Sequence, residues 1–128
     1  MREPSDARKR TLALQDRALR FSVAVNAACP RQYGDVPSAT VWGQLVRAAD
    51  SASNNLLEAD DASSTADFVH KMRLALRETK ESKQCLAKVR LGALDGCARV
   101  DRLEEEADEL AAIFATIVLR VQRRVKKA

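Results

Sequence analysis

Residues 44–86 read QLVRAADSASNNLLEADDASSTADFVHKMRLALRETKESKQCL. Two helical periods separated by a polar break decide the fold. Val41, Leu45, Ala48, Ala52, Leu56 and Ala59 recur every three or four residues, which places them on one face of a helix. Ala48, Ala49, Ala52 and Ala59 make that face shallow, so a partner helix can come close. Asp60 to Thr65 then form a polar turn, in which Ser64 or Thr65 can cap a following helix by accepting a bond from a free amide of its first turn. Phe68, Met72, Leu76, Thr79, Leu86 and Val89 supply the second apolar stripe.

A short turn makes its two helices antiparallel neighbours. Beside the apolar stripes run two polar ones: Arg47, Ser51, Asn54 and Glu58 on the first helix, and Lys71, Glu78, Glu81 and Cys85 with Leu74 on the second. Counting outward from a turn near Ala62 sets Asn54 level with Lys71 and Arg47 level with Glu78. Either both faces are solvated, or they form a paired polar seam of Arg47, Asn54, Glu58, Lys71, Glu78 and Glu81 that fixes the register of the hairpin. That role is structural.

The runs QLVRAADS, NNLLEA, DFVHK and ALRETKES resemble the bacterial four-helix bundle proteins related to the 23S ribosomal RNA intervening-sequence protein. The resemblance is specific over residues 44–86 and looser at the flanks. It implies an up-and-down bundle that assembles as a five-fold ring, hence a homopentamer. A related branch, matched by fold and charge, is the accessory variability protein of diversity-generating retroelements, which partners a reverse transcriptase and binds nucleic acid. The resemblance brings no catalytic residues and no cofactor.

The rest of the chain agrees with four helices. Its 128 residues suit one domain, 1–128, with four glycines, three prolines and few strand-forming runs. Helix 1 is expected near 6–29, capped by Ser5 or Asp6, with Leu14, Ala18, Phe21, Val25 and Ala28 inward. Leu12, Leu19 and Val23 fall off that stripe, which suggests cover on a second side. PRQYGDVP, residues 30–37, is the long connection, with Tyr33 expected to pack over the bundle end and Trp42 to pack within the next helix. Helices 2, 3 and 4 are expected near 38–59, 65–91 and 101–125, with Gly92 and Gly96 as candidate stops of the third. The fold class is all-α, an up-and-down antiparallel four-helix bundle.

Helix 4 segregates its charge. DRLEEEADE, residues 101–109, is acidic and RVQRRVKKA, residues 120–128, holds five bases and no acid. The helix dipole favours that order, yet the bases continue through Lys127, past the turn that needs them. Leu103, Ala107, Leu110, Phe114, Ile117 and Val121 form a bundle seam, whereas Ile113, Val118 and Leu119 fall outside it and point to an oligomer interface. Up-and-down topology brings Arg8, Lys9 and Arg10 to the same end as Arg120, Arg123, Arg124, Lys126 and Lys127, beside an acidic turn at Glu58, Asp60, Asp61 and Asp67.

Several functions lack their chemistry. His70 is the only histidine, so a paired Glu-x-x-His di-iron site is absent, and Asp67 with His70 makes a poor metal site. No phosphate-cradling glycine loop and no nucleophile beside a base is visible. Cys29, Cys85 and Cys97 form no C-x-x-C pair and read as reduced thiols. MREPSDARKR lacks a signal-peptide apolar core, and Leu110 to Leu119 is too short to span a bilayer, so a cytoplasmic protein off the membrane is expected. The resemblance, together with a net charge of +4 that a ring of copies would multiply, implies a non-enzymatic nucleic-acid-binding accessory protein, with RNA or DNA met by the eight tip bases. The alternative is a structural oligomer or protein adaptor.

Overall fold

A computed structural model describes residues 2–94 and 99–127. Gly96 and Cys97 lie outside the described residues. Four helices follow one another, α1 (Asp6–Ala28), α2 (Val36–Asp60), α3 (Thr65–Leu91) and α4 (Val100–Lys127), with no strand among the described residues. Each packs on its neighbours in chain order and α4 closes the bundle against α1.

Capping chemistry sets the boundaries. Ser5 and Ser64 accept bonds from the amides of Arg8 and Asp67 at 3.1 and 3.0 Å. Helix α2 begins two residues before the sequence reading because Asp35 is the cap: its carboxylate accepts from the Ser38 amide at 2.8 Å. Pro37 then sits inside the first turn, where a missing N–H costs nothing. Helix α3 stops at Gly92, where a Cβ would lie 2.9 Å from the Lys88 carbonyl oxygen. Ala93 follows at φ 49°, and the amides of Ala93 and Leu94 donate back to Arg90 and Val89 at 3.4 and 3.1 Å. This is the Schellman closure, with alanine in the left-handed position that glycine usually takes.

The core runs the length of the bundle. Trp42, Leu45, Met72, Leu86, Leu110 and Phe114 are its largest fully buried apolar side chains. Ala48, Ala49, Ala52 and Ala59 on α2 and Ala75, Thr79 and Ser82 on α3 are small and buried, which suits the close packing of these two helices. The Thr79 and Ser82 hydroxyls donate to the carbonyls of Ala75 and Glu78, so their burial leaves no donor unmet. Closest contact falls on α2 with α3, and α1 with α4 touch least.

Two apolar surpluses differ from the sequence reading. Leu12, Leu19 and Val23 are 40, 52 and 56% exposed, so α1 has no second covered side within the chain. Val118 lies in the core, because α4 turns it inward beside Phe114. Tyr33 is more than a packing anchor: its hydroxyl lies 3.0 Å from the Cys29 thiol, which raises the phenol above its ordinary pKa.

Replacing Ala52 by Leu is expected to wedge α2 from α3 and cost about 1–3 kcal/mol. Replacing the 57%-exposed Leu57 by Ala is expected to stay within about 0.5 kcal/mol. Urea unfolding measures both, and equal costs would contradict the packing described.

Candidate nucleic-acid interface

The helix order puts the start of α1, the α2–α3 turn and the end of α4 at one end of the bundle. The basic residues there do not behave alike. Arg8 Nη1 lies 2.6 and 2.7 Å from the two carboxylate oxygens of Asp60, tying α1 to α2. This contact holds the Asp60 carboxyl below the usual carboxylate range. Lys9 lies 3.6 Å from Glu3 in open solvent. Among the described residues no carboxylate comes within 4 Å of Arg10, Arg120, Arg123, Arg124, Lys126 or Lys127. Of the acidic turn, Asp60 is engaged by Arg8. Asp67 accepts from the Ser63 amide at 3.1 Å, and Glu58 accepts from Lys71 at 2.9 Å.

The free bases fall into three directions. Arg120 and Arg124 join Arg10 on the rim of an open groove of about 730 Å³ between α1 and α4. Its floor is apolar, with Leu56, Met72, Ile113 and Ile117 among its residues. Below it Arg17 bridges the two helices, with Nε 2.9 Å from Glu106 and Nη2 2.7 Å from Glu109. Lys126 turns the other way and shares a hollow of about 490 Å³ with His70 and Arg73 of α3. Arg123 and Lys127 are exposed and line neither. Of the residues assigned to an oligomer interface, Ile113 is half-buried on the groove floor, Val118 is in the core, and Leu119 is 52% exposed.

The polar stripes of α2 and α3 meet along one edge. Arg47 reaches both carboxylates, Glu78 at 3.4 Å and Glu81 at 2.7 Å. Lys71 pairs with Glu58, one turn beyond the Asn54 that residue counting set level with it; Asn54 is exposed. The edge toward α4 carries two more pairs, Lys83 with Asp108 at 2.6 Å and Arg90 with Glu104 at 2.7 Å. Arg90 lowers the Glu104 pKa. Burial raises the pKa of the Cys85 thiol, which leaves it protonated and unreactive. Among the described residues no three His, Cys, Asp or Glu side chains stand together to hold a metal ion, and no helix is long and apolar enough to cross a membrane.

One feature of α3 escaped the sequence reading, which followed the inward stripes. His70, Arg73, Arg77, Lys80 and Lys88 occupy its outward face, and all are exposed. Their three- and four-residue spacing was visible in the sequence as the complement of the apolar stripe.

A four-helix bundle with free cations gathered at one end is the class of protein defined so far. The sequence profile of the 23S rRNA-intervening sequence protein family matches residues 10–116, and the chain belongs to that family. Among solved structures it is similar to a protein of unknown function from the S23 ribosomal protein family of Bacteroides thetaiotaomicron VPI-5482. The TM-score is 0.69 at 24% identity, covering 84% of this chain and 96% of that one. At that identity the likeness concerns the fold alone. No curated protein matches the chain significantly.

The Arg47 side chain is 56% exposed, so water screens its pair with Glu81, and its contact with the nearly buried Glu78 is the longer one at 3.4 Å. Arg47→Ala is expected to cost under about 1 kcal/mol in urea unfolding. A loss above about 3 kcal/mol would place the seam among buried ion pairs and contradict this.

Proposed function

We propose that the chain is a non-enzymatic, homo-oligomeric nucleic-acid-binding protein of the cytoplasm. The observation that carries the reading is the absence of any acidic partner, among the described residues, for six of the eight tip bases. Some bases elsewhere in the bundle are paired. Arg17, Arg47, Lys71, Lys83 and Arg90 all reach carboxylates on other helices. Bases left unpaired where the fold gathers them are available to an external polyanion. Arg8 is committed to Asp60 and acts as a structural pin.

Such bases would meet phosphates, so binding is expected to be largely independent of sequence. Each neutralised phosphate releases counterions, and the log–log dependence on salt should fall by about 0.7–0.9 per contact. Replacing Arg123, Arg124, Lys126 and Lys127 together by alanine is expected to weaken binding to RNA and DNA and to flatten that slope. The four side chains are exposed, so circular dichroism and thermal midpoint should stay as in the parent. A parent that binds no nucleic acid at low salt would give way to the protein-adaptor reading.

Oligomerisation rests on apolar surface that the chain leaves uncovered. Ile113 and Ile117 floor the α1–α4 groove, while Leu119, Leu19 and Val23 are more than half exposed or face open solvent. The five-fold number comes from the resemblance of residues 44–86. Native mass is expected near five times the 14.1 kDa of one chain. Sedimentation as a monomer at micromolar concentration would contradict it.

A further inference from the structure

Helix α3 carries seven Lys and Arg residues, and the structure sorts them cleanly. Three lie at the helix edges and reach a neighbour: Lys71 to α2, Lys83 and Arg90 to α4. The other four, Arg73, Arg77, Lys80 and Lys88, have no carboxylate within 4 Å among the described residues. Together with His70 and the neutral Gln84 they step along the helix at intervals of three and four residues. They form one exposed row opposite the buried Met72, Ala75, Thr79, Ser82 and Leu86. From His70 to Lys88 the row is about 27 Å long at 1.5 Å per residue. No acid interrupts it. Asp67 is occupied at the helix start, and Glu78 and Glu81 turn toward Arg47.

We infer that this outward face of α3 docks the sugar–phosphate backbone of a nucleic-acid duplex. The inference rests on the nucleic-acid-binding reading and adds where the duplex lies. A row of about 27 Å spans roughly eight base pairs at 3.4 Å per step. The bases stand on one continuous helix of 27 residues, so they present a line of charge. The imidazole of His70, at one end of the row, is its only aromatic ring, so an unpaired strand finds little to stack on along the rest of it. A membrane surface would ask for apolar side chains among the bases; here Leu91 lies beyond the far end of the row, and Val69 and Val125 lie in the hollow beside its start. The row is also continuous with the tip, because His70 and Arg73 share their hollow with Lys126. Contacts to phosphate alone make duplex RNA and duplex DNA equivalent ligands.

The test measures fluorescence anisotropy of labelled duplex RNA, duplex DNA and a single strand of equal length, between about 50 and 200 mM NaCl, on the full chain. One variant carries Arg73→Ala, Arg77→Ala, Lys80→Ala and Lys88→Ala. A control removes the same charge elsewhere, through Arg20→Ala, Arg31→Ala, Arg99→Ala and Arg102→Ala, all at exposed positions. The α3 variant is expected to bind both duplexes at least about tenfold more weakly at low salt, with a slope shallower by about 3–4. The control should lose far less. A variant with Arg73→Lys and Arg77→Lys should bind as the parent does, which separates charge from fold. Equal losses in the α3 variant and the control overturn the inference. If the tip variant alone then loses affinity, the nucleic-acid reading survives without α3. A preference for the single strand overturns the inference, and a parent that binds only phosphatidylserine vesicles overturns both readings.

Discussion

The close approach of α2 to α3 governs this molecule. Small buried residues on both helices, Ala48, Ala49, Ala52 and Ala59 on α2 and Ala75, Thr79 and Ser82 on α3, let their backbones come close. The long polar residues of α3 stand at its edges and on its outer surface. Those at the edges meet a neighbouring helix, where Arg47 bridges to Glu78 and Glu81, and Lys71 to Glu58. Each exposed pair contributes little to stability. They also turn Glu78 and Glu81, two of the three acids of α3, toward Arg47 and away from the outward bases.

The opposite side of the bundle is looser. Helix α1 is pinned at two levels, by Arg8 to Asp60 and by Arg17 to Glu106 and Glu109, and between them it stands off α4 around the open groove. One face of the bundle is thus closed by small side chains and bordered by paired charge. The other keeps apolar surface that another subunit could cover. The basic row of α3 and the apolar groove thus lie on different sides of the bundle, and Arg10, Arg120 and Arg124 of the tip border the groove.

Most of the fold was legible in residues 44–86. The apolar stripes, the polar turn and the seam pair Arg47–Glu78 follow from helical periodicity and a count across one turn, since a short antiparallel hairpin has a single register. What escaped has physical causes. Asp35 as the cap of α2 depended on a loop conformation that spacing does not encode. Val118 read as surplus because a 3.5-residue seam drifts against a 3.6-residue helix, which brings it inward near the end of α4. The acidic turn looked able to cancel the tip. It does so only in part, because Asp60 and Glu58 are each taken by one specific base. The outward row of α3 was spelled in the sequence, but only the structure shows which of its seven bases remain unpaired.

The central claim is that the fold divides its lysines into those locked in ion pairs and those free for phosphate. Lysine acetylation followed by mass spectrometry, with and without a short duplex at low salt, tests this directly. The account predicts protection of Lys80, Lys88, Lys126 and Lys127 by the duplex, with Lys71 and Lys83 reacting at unchanged rates. Protection of Lys71 and Lys83 alone, or of no lysine at all, would contradict it.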